Sequence, residues 1–580
     1  MRASHFYAFF MMLFSVSILL AGCDTREEKV EIIPEVQGSL LKNGRVAPIT
    51  PEGAAELKNM ISNMSLVKQY SEMFAQISQQ DMDTLSQHME LRGEFQVIPR
   101  TNHYEVSFPD RITILPQEGD DFDSIQFFHN IKLRVRPTGD PSAFYVEFDA
   151  EEKPVYAVLN KDGKSEEFLS FTYETSEPYK ALWHNDFQMF AQMTGILRNA
   201  TLNIQIPEYY RREFDDLDMF KVRVQDLRSD AMLEPDDDNI WSGRYNANFD
   251  NVEITLPQGV GDVQILKISS EQNMEKLNPA VYRDFFDQYE DLIGTLYNFE
   301  MTTDTENIDF LPLMKAYKSL LQDGFAGTDM EMKISNVSVT LNKTPENHLT
   351  EKKFGLDSAS FSGFMKGAHE NKAQFGVSYT LKGIDVGMKQ FEDEFGGEAP
   401  QEIIPKNANF GFSVKNLPAI SLMDKAIEIF EKANGDETVM ENMFLQAQND
   451  FINILVDADT KLSIDDTYIG NDIWLLLTNG MAKMNAEAMM KVQGETEVRF
   501  YGMDYLIQLM EQRMNNPDTA PASRMMIQQA MQGLGMMQLF GQQKKDENGR
   551  DYRGYTMTLT PEGQMQMNGT DMNQLMGAMP

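Results

Sequence analysis

The sequence predicts an α+β, β-rich fold: an elongated antiparallel sheet of repeated strand modules, each ending in an amphipathic helix, with one further helix in front. Through most of the chain after Gly93, apolar residues alternate with polar ones, which is the period of strands buried on one face. The stretches between these strands are too short for helical crossovers, so neighbouring strands are expected to be antiparallel. With 580 residues, 42% hydrophobic and 24% charged, the chain is long enough for several packed domains.

A helix is predicted to open the folded part of the chain. Thr50 is a suitable N-cap, and Pro51 suits the first helical position. From Leu57 to Ile77, apolar residues recur at spacings of three and four, which places them on one face of an amphipathic helix. We expect that face to pack against the sheet.

Several strand patterns follow before residue 160, separated by turn sequences such as Pro109-Asp110 and Gly139-Asp140-Pro141. Their alternation predicts hairpin-connected strands that are buried on one face. The apolar positions are Tyr104, Val106 and Phe108; Ile112 and Ile114; Leu133 and Val135; Phe144, Val146 and Phe148; and Val155, Ala157 and Leu159.

Two pairs of segments in the middle of the chain predict an internal repeat. Residues 222–227 have the same order of apolar, basic, polar and Asx residues as residues 332–337. Residues 249–254 match residues 381–386 in type. Because one repeat cannot bury its apolar face alone, stacked copies are expected to share a continuous core.

Each predicted copy continues through another strand, residues 265–269 or residues 410–414, into an amphipathic helix. These helices are expected over about residues 279–298 in the first copy and about residues 418–433 in the second. A strand at residues 496–500, followed by a helix over residues 504–514, predicts part of a further copy.

The C-terminal hundred residues are rich in methionine, since 18 of the 40 methionines lie from Met481 onward. Thioethers at spacings such as that of Met481 and Met484 are possible Cu(I) ligands. Most of these methionines, however, fall at helical spacing beside Leu534 and Leu539, without nearby His or Cys. We therefore expect them to line a core or an adaptable apolar groove.

The most specific signal lies at the start of the chain. Behind Arg2, residues 6–20 form an uncharged apolar run with the length of a signal-peptide core, too short for a spanning helix. The run ends in Leu20-Ala21-Gly22-Cys23, and Cys23 is the only cysteine, which excludes a disulfide within the chain. In these residues the sequence resembles bacterial lipoproteins, whose Leu-Ala-Gly-Cys box is cut before a cysteine that is then acylated.

The resemblance implies that Cys23 carries lipid, such as palmitate, and anchors the mature protein to a membrane facing the periplasm. In one branch of that family, an aspartate directly after the cysteine favours retention at the inner membrane, and Asp24 stands there. The outer membrane is the alternative location. Two or more acyl chains hold a protein stably on a membrane, so the body needs no membrane segment of its own.

The resemblance and the residue patterns together divide the chain into six expected parts. The body itself only loosely resembles repetitive β-rich periplasmic proteins of Gram-negative bacteria, some of them related to envelope lipid transport. The expected parts are a signal peptide (1–22), a tether after the lipidated cysteine (23–49), an N-terminal helix with an antiparallel β region (50–210), repeat module 1 (211–325), repeat module 2 (326–480) and a Met-rich C-terminal α/β segment (481–580).

Charge and motif spacing argue against several other functions. A net charge of −38 opposes nucleic acid as a partner. His369 and Glu370 begin like a zinc-protease motif, but Ala373 stands where the second histidine is required. Asp459 belongs to a run that begins like a calcium loop, but Lys461 replaces an oxygen ligand. The sequence thus predicts no catalytic residue, metal or cofactor.

We therefore expect a non-enzymatic, membrane-anchored lipoprotein of the cell envelope, with Cys23 as its lipidation site and Asp24 as its sorting residue. Its long β-surface is expected to bind a lipid-like apolar ligand or a partner protein. A ligand-binding role predicts an apolar groove, whereas an envelope scaffold or assembly factor predicts a filled core and a flat exposed patch. The other alternative is an envelope hydrolase whose catalytic residues lie far apart in the sequence.

Overall fold

The computed structural model describes residues 47–62 and 89–572, except for residues 93–94, 109, 117–121, 176–178, 186–188, 208–210, 212–217, 237–239, 302–309, 343–351, 387–402, 435, 518 and 520. The chain divides into two compact units, Met1–Ala316 and Tyr317–Pro580, and each is described by itself. Both units consist mainly of antiparallel strands with a few helices, so the predicted α+β, β-rich fold class is confirmed.

The first unit contains one helix, a run of strands and a second helix within its described residues. These elements are α1 (Pro51–Ser62), β1 (Met89–Arg92), β2 (Gln96–Pro99), β3 (Tyr104–Ser107), β4 (Arg111–Ile114), β5 (Ser124–Pro137), β6 (Ala143–Lys161), β7 (Lys164–Glu174), β8 (Tyr179–His184), β9 (Met189–Gln205), β10 (Met219–Pro235), β11 (Trp241–Thr255), β12 (Gly261–Leu277) and α2 (Pro279–Met301).

The strands of the first unit form an antiparallel sheet in which sequence order is kept from β9 to β12, while earlier strands also pair across one or two intervening strands. β5 pairs along one edge with both β3 and β4, which in turn pair with β2 and β1. On its other edge β5 pairs with β6, and β7 and β8 both bridge β6 to β9. β10, β11 and β12 follow in order.

One detail of the strand prediction is wrong. Residues 144–148 and 155–159 are not separate strands but parts of the single strand β6. The reason is tertiary. β5 pairs with β6 on both sides of the acidic middle stretch of β6, and a register shift between His129 and Ile131 of β5 accommodates that stretch.

Helix α1 begins as the sequence predicts. The Thr50 hydroxyl Oγ1 accepts a hydrogen bond from the Gly53 amide at 3.0 Å, as an N-cap residue does. Leu57 and Ile61 are buried in one cluster with Val106 of β3 and with residues of β5 and β6. The apolar face of the helix therefore packs on the sheet, as expected; its predicted continuation to Ile77 lies outside the described residues.

Helix α2 also confirms a prediction, since it begins at Pro279 directly after β12. Burial raises the pKa of Tyr282 in this helix to about 12, and burial together with the nearby Tyr282 raises the pKa of Tyr245 in β11. Removal from water disfavours the charged phenolate form, which is why both pKa values rise.

The second unit begins at the end of α3 (Leu311–Ser319), which continues into a π-helical turn, Leu320–Gly324. Its further elements are β13 (Gly327–Leu341), β14 (Lys352–Lys366), β15 (Ala373–Lys382), β16 (Asn407–Leu417), α4 (Ala419–Ala433), α5 (Glu437–Asp457), β17 (Lys461–Gly470), β18 (Leu475–Met484), β19 (Val492–Tyr501), α6 (Met503–Asn515), α7 (Pro521–Phe540), β20 (Gln542–Lys545), β21 (Asp551–Leu559), β22 (Met565–Met567) and β23 (Thr570–Asp571).

These strands form a second antiparallel sheet. β13 to β19 pair in sequence order. β19 then pairs with β21, because α6, α7 and the short β20 intervene in the chain. The other edge of β21 carries β20 and β22, and β23 follows β22.

The helices of the second unit match the sequence in part. α4 and α6 begin within one residue of their predicted starts. α5 was not predicted. Asp436 caps it by accepting a hydrogen bond from the Val439 amide at 3.0 Å. An aspartate before a helical run is an N-cap signal that the sequence offered.

The proposed repeat stays a prediction, but the structure adds one feature to it. Asn251 and Gly383 occupy equivalent positions in the second pair of matched segments, and both have left-handed backbones, with φ of 50° and 66°. Glycine and asparagine are the residues that adopt this conformation at low cost. The two segments therefore share a backbone turn as well as a residue pattern.

Candidate ligand-binding site on the second sheet

The two faces of the second sheet differ in character. Leu381, Ala408, Ile469 and Leu476 are successive cross-strand partners on β15, β16, β17 and β18. Partners in register point to the same side of a sheet, and residues two apart on a strand share that side. We call this side the apolar face; it also carries Tyr379 and Phe410, which pair with each other, and Thr467 and Thr478, which pair with each other.

The apolar face is covered at one end and open at the other. Leu476 pairs with Phe500 of β19, which is 5% exposed because α6 and α7 lie over it. The core beneath these helices consists of Phe500, Met503, Leu506, Met510, Ile527 and Tyr555, which confirms that part of the Met-rich segment lines a core.

Away from the helices, the same face exposes large apolar side chains to solvent. Tyr379 is 52% exposed, Phe410 48%, and Leu381 and Ile469 39% each. The Tyr379 ring packs against Phe361 of β14, with centroids 4.8 Å apart. Single exposed apolar residues are ordinary, but a contiguous group across several strands is typical of an interaction surface or a ligand groove.

A pocket of about 340 Å³ lies on this open part of the apolar face. Ala408, Thr467 and Thr478 are small and leave a depression, while larger side chains such as Phe410 and Leu476 form its walls. The volume is at the lower end of the range for small-molecule sites, roughly 300–1,000 Å³. The lining residues are Tyr379, Leu381, Ala408, Asn409, Phe410, Thr467, Tyr468, Ile469, Leu476 and Thr478.

A β-bulge shapes the pocket. The register shifts between Asn409 and Phe412 on β16 and between Ile464 and Thr467 on β17. Asp466, inside the bulge, has a left-handed backbone with φ of 44°. Bulges bend a strand and redirect its side chains, and they often occur beside functional sites.

Thr467 is held on the apolar face by the neighbouring strand. Its Oγ1 donates to the Gly411 carbonyl at 3.2 Å and accepts from the Gly411 amide at 3.0 Å. A Cβ atom at position 411 would lie only 2.1 Å from the Asp465 carbonyl oxygen, so the close approach of the two strands requires glycine there.

We expect Gly411→Ala to destabilise the second unit by roughly 1–3 kcal/mol, because the added methyl group meets backbone that has no room to move. Gly533→Ala is the matched control. Gly533 lies inside α7 with nothing within 4 Å of its would-be Cβ, so alanine there should add about 0.5–1 kcal/mol of stability. Urea unfolding curves measure both changes. If both variants are destabilised, or both are stabilised, the requirement for glycine at position 411 is contradicted.

Behind the pocket, the opposite face of the sheet carries a network of polar side chains, and we call it the polar face. Asn409 Oδ1 accepts hydrogen bonds from Ser378 Oγ at 3.2 Å and Thr380 Oγ1 at 2.6 Å, and Nδ2 donates to the Asp466 carbonyl at 2.7 Å. Ser413 Oγ donates to Asp465 Oδ2 at 2.5 Å. This network fixes the strands that form the pocket floor without placing a charge on the apolar face.

The chemistry of the pocket is that of a binding site for an apolar group. None of its lining residues carries a charge at neutral pH, and the Thr467 hydroxyl is already engaged on both sides. A ligand here gains from apolar contact, and Thr478 and Tyr379 supply hydroxyl groups at its margin.

The predicted site residues Cys23 and Asp24 lie outside the described residues. Within the described ranges, no group of three or more His, Cys, Asp or Glu side chains is placed to hold a metal ion. Of the helices in the same ranges, none has the length and apolar character to cross a membrane.

Sequence reasoning missed the pocket residues as a site. Leu381 and Phe410 were recognised as apolar positions of strands, but nothing in their pattern says that their side of the sheet is open. The readable signal was the small residue Ala408 between them on an apolar side of alternating strands.

Comparison of the chain with protein-family models, with curated proteins and with solved structures found no match.

Proposed function

We propose that this protein is a membrane-anchored lipoprotein of the cell envelope, non-enzymatic, that binds a lipid-like apolar ligand on the apolar face of its second sheet. The observation that carries the proposal is the 340 Å³ pocket, whose lining residues are uncharged. Small residues form its floor, and larger apolar residues form its walls. In a chain of net charge −38, an open surface without charges is costly in water unless something covers it.

The proposed anchor supports the same function. Attachment through Cys23 would hold the pocket near a bilayer, which is the source of lipid-like ligands. Asp24 favours the inner membrane as the proposed location, with the outer membrane as the alternative.

The test of the proposal is mass spectrometry of the purified full-length protein before and after organic extraction. We expect a mature N-terminus at Cys23 carrying acyl chains and, separately, a non-covalently bound lipid that the solvent removes. A protein that carries no extractable apolar molecule would contradict the ligand-binding role.

We expect Cys23→Ser to shift the protein from the membrane fraction to the soluble fraction. A serine hydroxyl does not accept the acyl chains that the lipoprotein resemblance implies, so the main membrane attachment is lost. Cell fractionation followed by immunoblotting measures the shift. A variant that stays in the membrane fraction as completely as the parent protein would rule out Cys23 as the anchor.

Partner-protein binding is the second candidate, and a second set of exposed apolar side chains favours it. Leu539 is 82% exposed and Met489 81%, while Met490, Met525, Met536 and Met565 each exceed half exposure. Methionine-rich surfaces adapt to varied apolar partners. The two candidates separate experimentally, because Leu539→Glu should impair partner binding and leave the pocket unchanged.

A further inference from the structure

The apolar face ends in a charged rim beside the pocket. Lys406 directly precedes β16, and strand alternation places it on the same side as Ala408, about 7 Å further along the chain. Its Nζ lies 3.6 Å from Asp472 Oδ2, and the two side chains are 56% and 85% exposed. An exposed ion pair at this distance contributes little to stability, so its side chains readily exchange each other for a charged group of a ligand.

A second carboxylate lies on the other side of Lys406. A Cβ atom at Gly383 would be 2.0 Å from Asp357 Oδ2, so the Asp357 carboxylate lies directly over Gly383, two residues beyond Leu381. The Ile384 amide donates to the Lys406 carbonyl at 2.9 Å, which sets this end of β15 beside Lys406. In strand order, the described part of the rim thus carries the Lys406 ammonium group between the carboxylates of Asp357 and Asp385 on one side and that of Asp472 on the other.

We propose that the pocket takes the acyl chain of a phospholipid with a zwitterionic head group, whose phosphate meets Lys406 and whose ammonium group meets Asp357 or Asp472. The inference rests on the proposed ligand-binding function. A purely anionic head would meet the carboxylates as well as the ammonium group, and an uncharged head would offer neither kind of group an opposite charge. A zwitterion offers each of them an opposite charge, which is the complementarity that sets specificity.

The test offers the purified full-length protein an equimolar mixture of three single-chain lipids with the same acyl chain. These are lysophosphatidylethanolamine, which is zwitterionic, lysophosphatidylglycerol, which is anionic, and an uncharged monoacylglycerol. Native mass spectrometry counts the bound lipids, and the Ala408→Trp variant, whose pocket is filled, gives the background. We expect the zwitterionic lipid to dominate the difference between the two proteins.

Charge reversal at the rim provides the second measurement. Lys406→Glu should lower the bound zwitterionic lipid about three- to fivefold, the change expected from the loss of one exposed charge contact. Lys415→Glu is the matched control, because it makes the same charge change on the same strand but on the polar face. Lys415→Glu should leave binding unchanged.

The outcomes separate the two proposals. Equal binding of all three lipids that Ala408→Trp abolishes would overturn the head-group inference and leave the ligand-binding function standing. Preference for the anionic lipid, or equal losses from Lys406→Glu and Lys415→Glu, would also overturn it. Lipid binding that Ala408→Trp does not reduce would contradict the proposed pocket itself.

Discussion

Replacing Ala408 with tryptophan is expected to lower the amount of bound apolar ligand by about tenfold or more. The indole fills the floor of the pocket, and the apolar contacts that the ligand then loses contribute at least about 1.4 kcal/mol to binding. Ala408 is the small residue between Leu381 and Ile469, and the indole projects into the 340 Å³ pocket. The quantity measured is lipid extracted per molecule of the full-length protein.

The matched control is Ser362→Trp. Ser362 lies on β14, pairs with Ser378 and is exposed on the polar face, so the same bulky residue enters the same sheet on its opposite side. Ligand binding by this variant should equal that of the parent protein. If both tryptophan variants lose ligand alike, the pocket is not the binding site.

A second pocket variant tests whether ligand loss comes from the pocket itself rather than from misfolding. Phe410 is 48% exposed, so Phe410→Glu places a charge on the pocket wall without opening a buried cavity. We expect ligand loss similar to that of Ala408→Trp with an unchanged unfolding transition. Full binding by a folded Phe410→Glu protein would exclude this wall from the site.

Leu506→Ala is expected to destabilise the second unit by about 2–5 kcal/mol, the usual cost of removing a buried leucine side chain. Leu506 is 3% exposed and lies in α6 within the core formed with Phe500 of β19 and Ile527 of α7. Two helices and the sheet meet at this residue, so the cavity cannot collapse from one side alone. Urea unfolding measures the loss, and hydrogen exchange locates it in α6, α7 and β19.

The neighbouring residue supplies the control. Tyr505 belongs to the same helix but is 56% exposed, so Tyr505→Ala should change stability by no more than about 0.5 kcal/mol. Equal destabilisation by the two variants would mean that α6 does not pack on the sheet through the Leu506 side.

The covered part of the apolar face explains how the site is supported. Leu476 belongs both to the pocket lining and to the residues packed against the helix-covered core. The wall of the pocket is therefore continuous with a rigid, close-packed region, which holds the binding surface in place. Loosening the core through Leu506→Ala should accordingly weaken ligand binding as well.

Much of the fold is predictable from local pattern. Alternation predicted many of the strands, although it missed β14, β17 and β18, and the proline at position 51 together with Thr50 predicted the start of α1. Period and capping are properties of a few consecutive residues, so they are readable without tertiary information. The site was less predictable, because Tyr379 and Leu381 show the same alternation that a fully covered strand shows.

Two further features depended on partners distant in the chain. The bulge at Asp465 and Asp466 is recognisable only from the register of β16 and β18 on either side. The rim charges Asp357, Lys406 and Asp472 belong to separate segments and come together only through strand pairing.

The sequence by itself determined the fold class, many of the strands, the starts of α1, α2, α4 and α6, and which residues of a strand share a side, while Cys23 stays a proposed anchor. It determined these because backbone conformation and side-chain alternation are set by neighbours in the chain. Only the tertiary structure decided that α6 and α7 cover one end of the apolar face and leave the other open. That choice depends on where a helix packs across strands far from it in sequence, which no local pattern encodes.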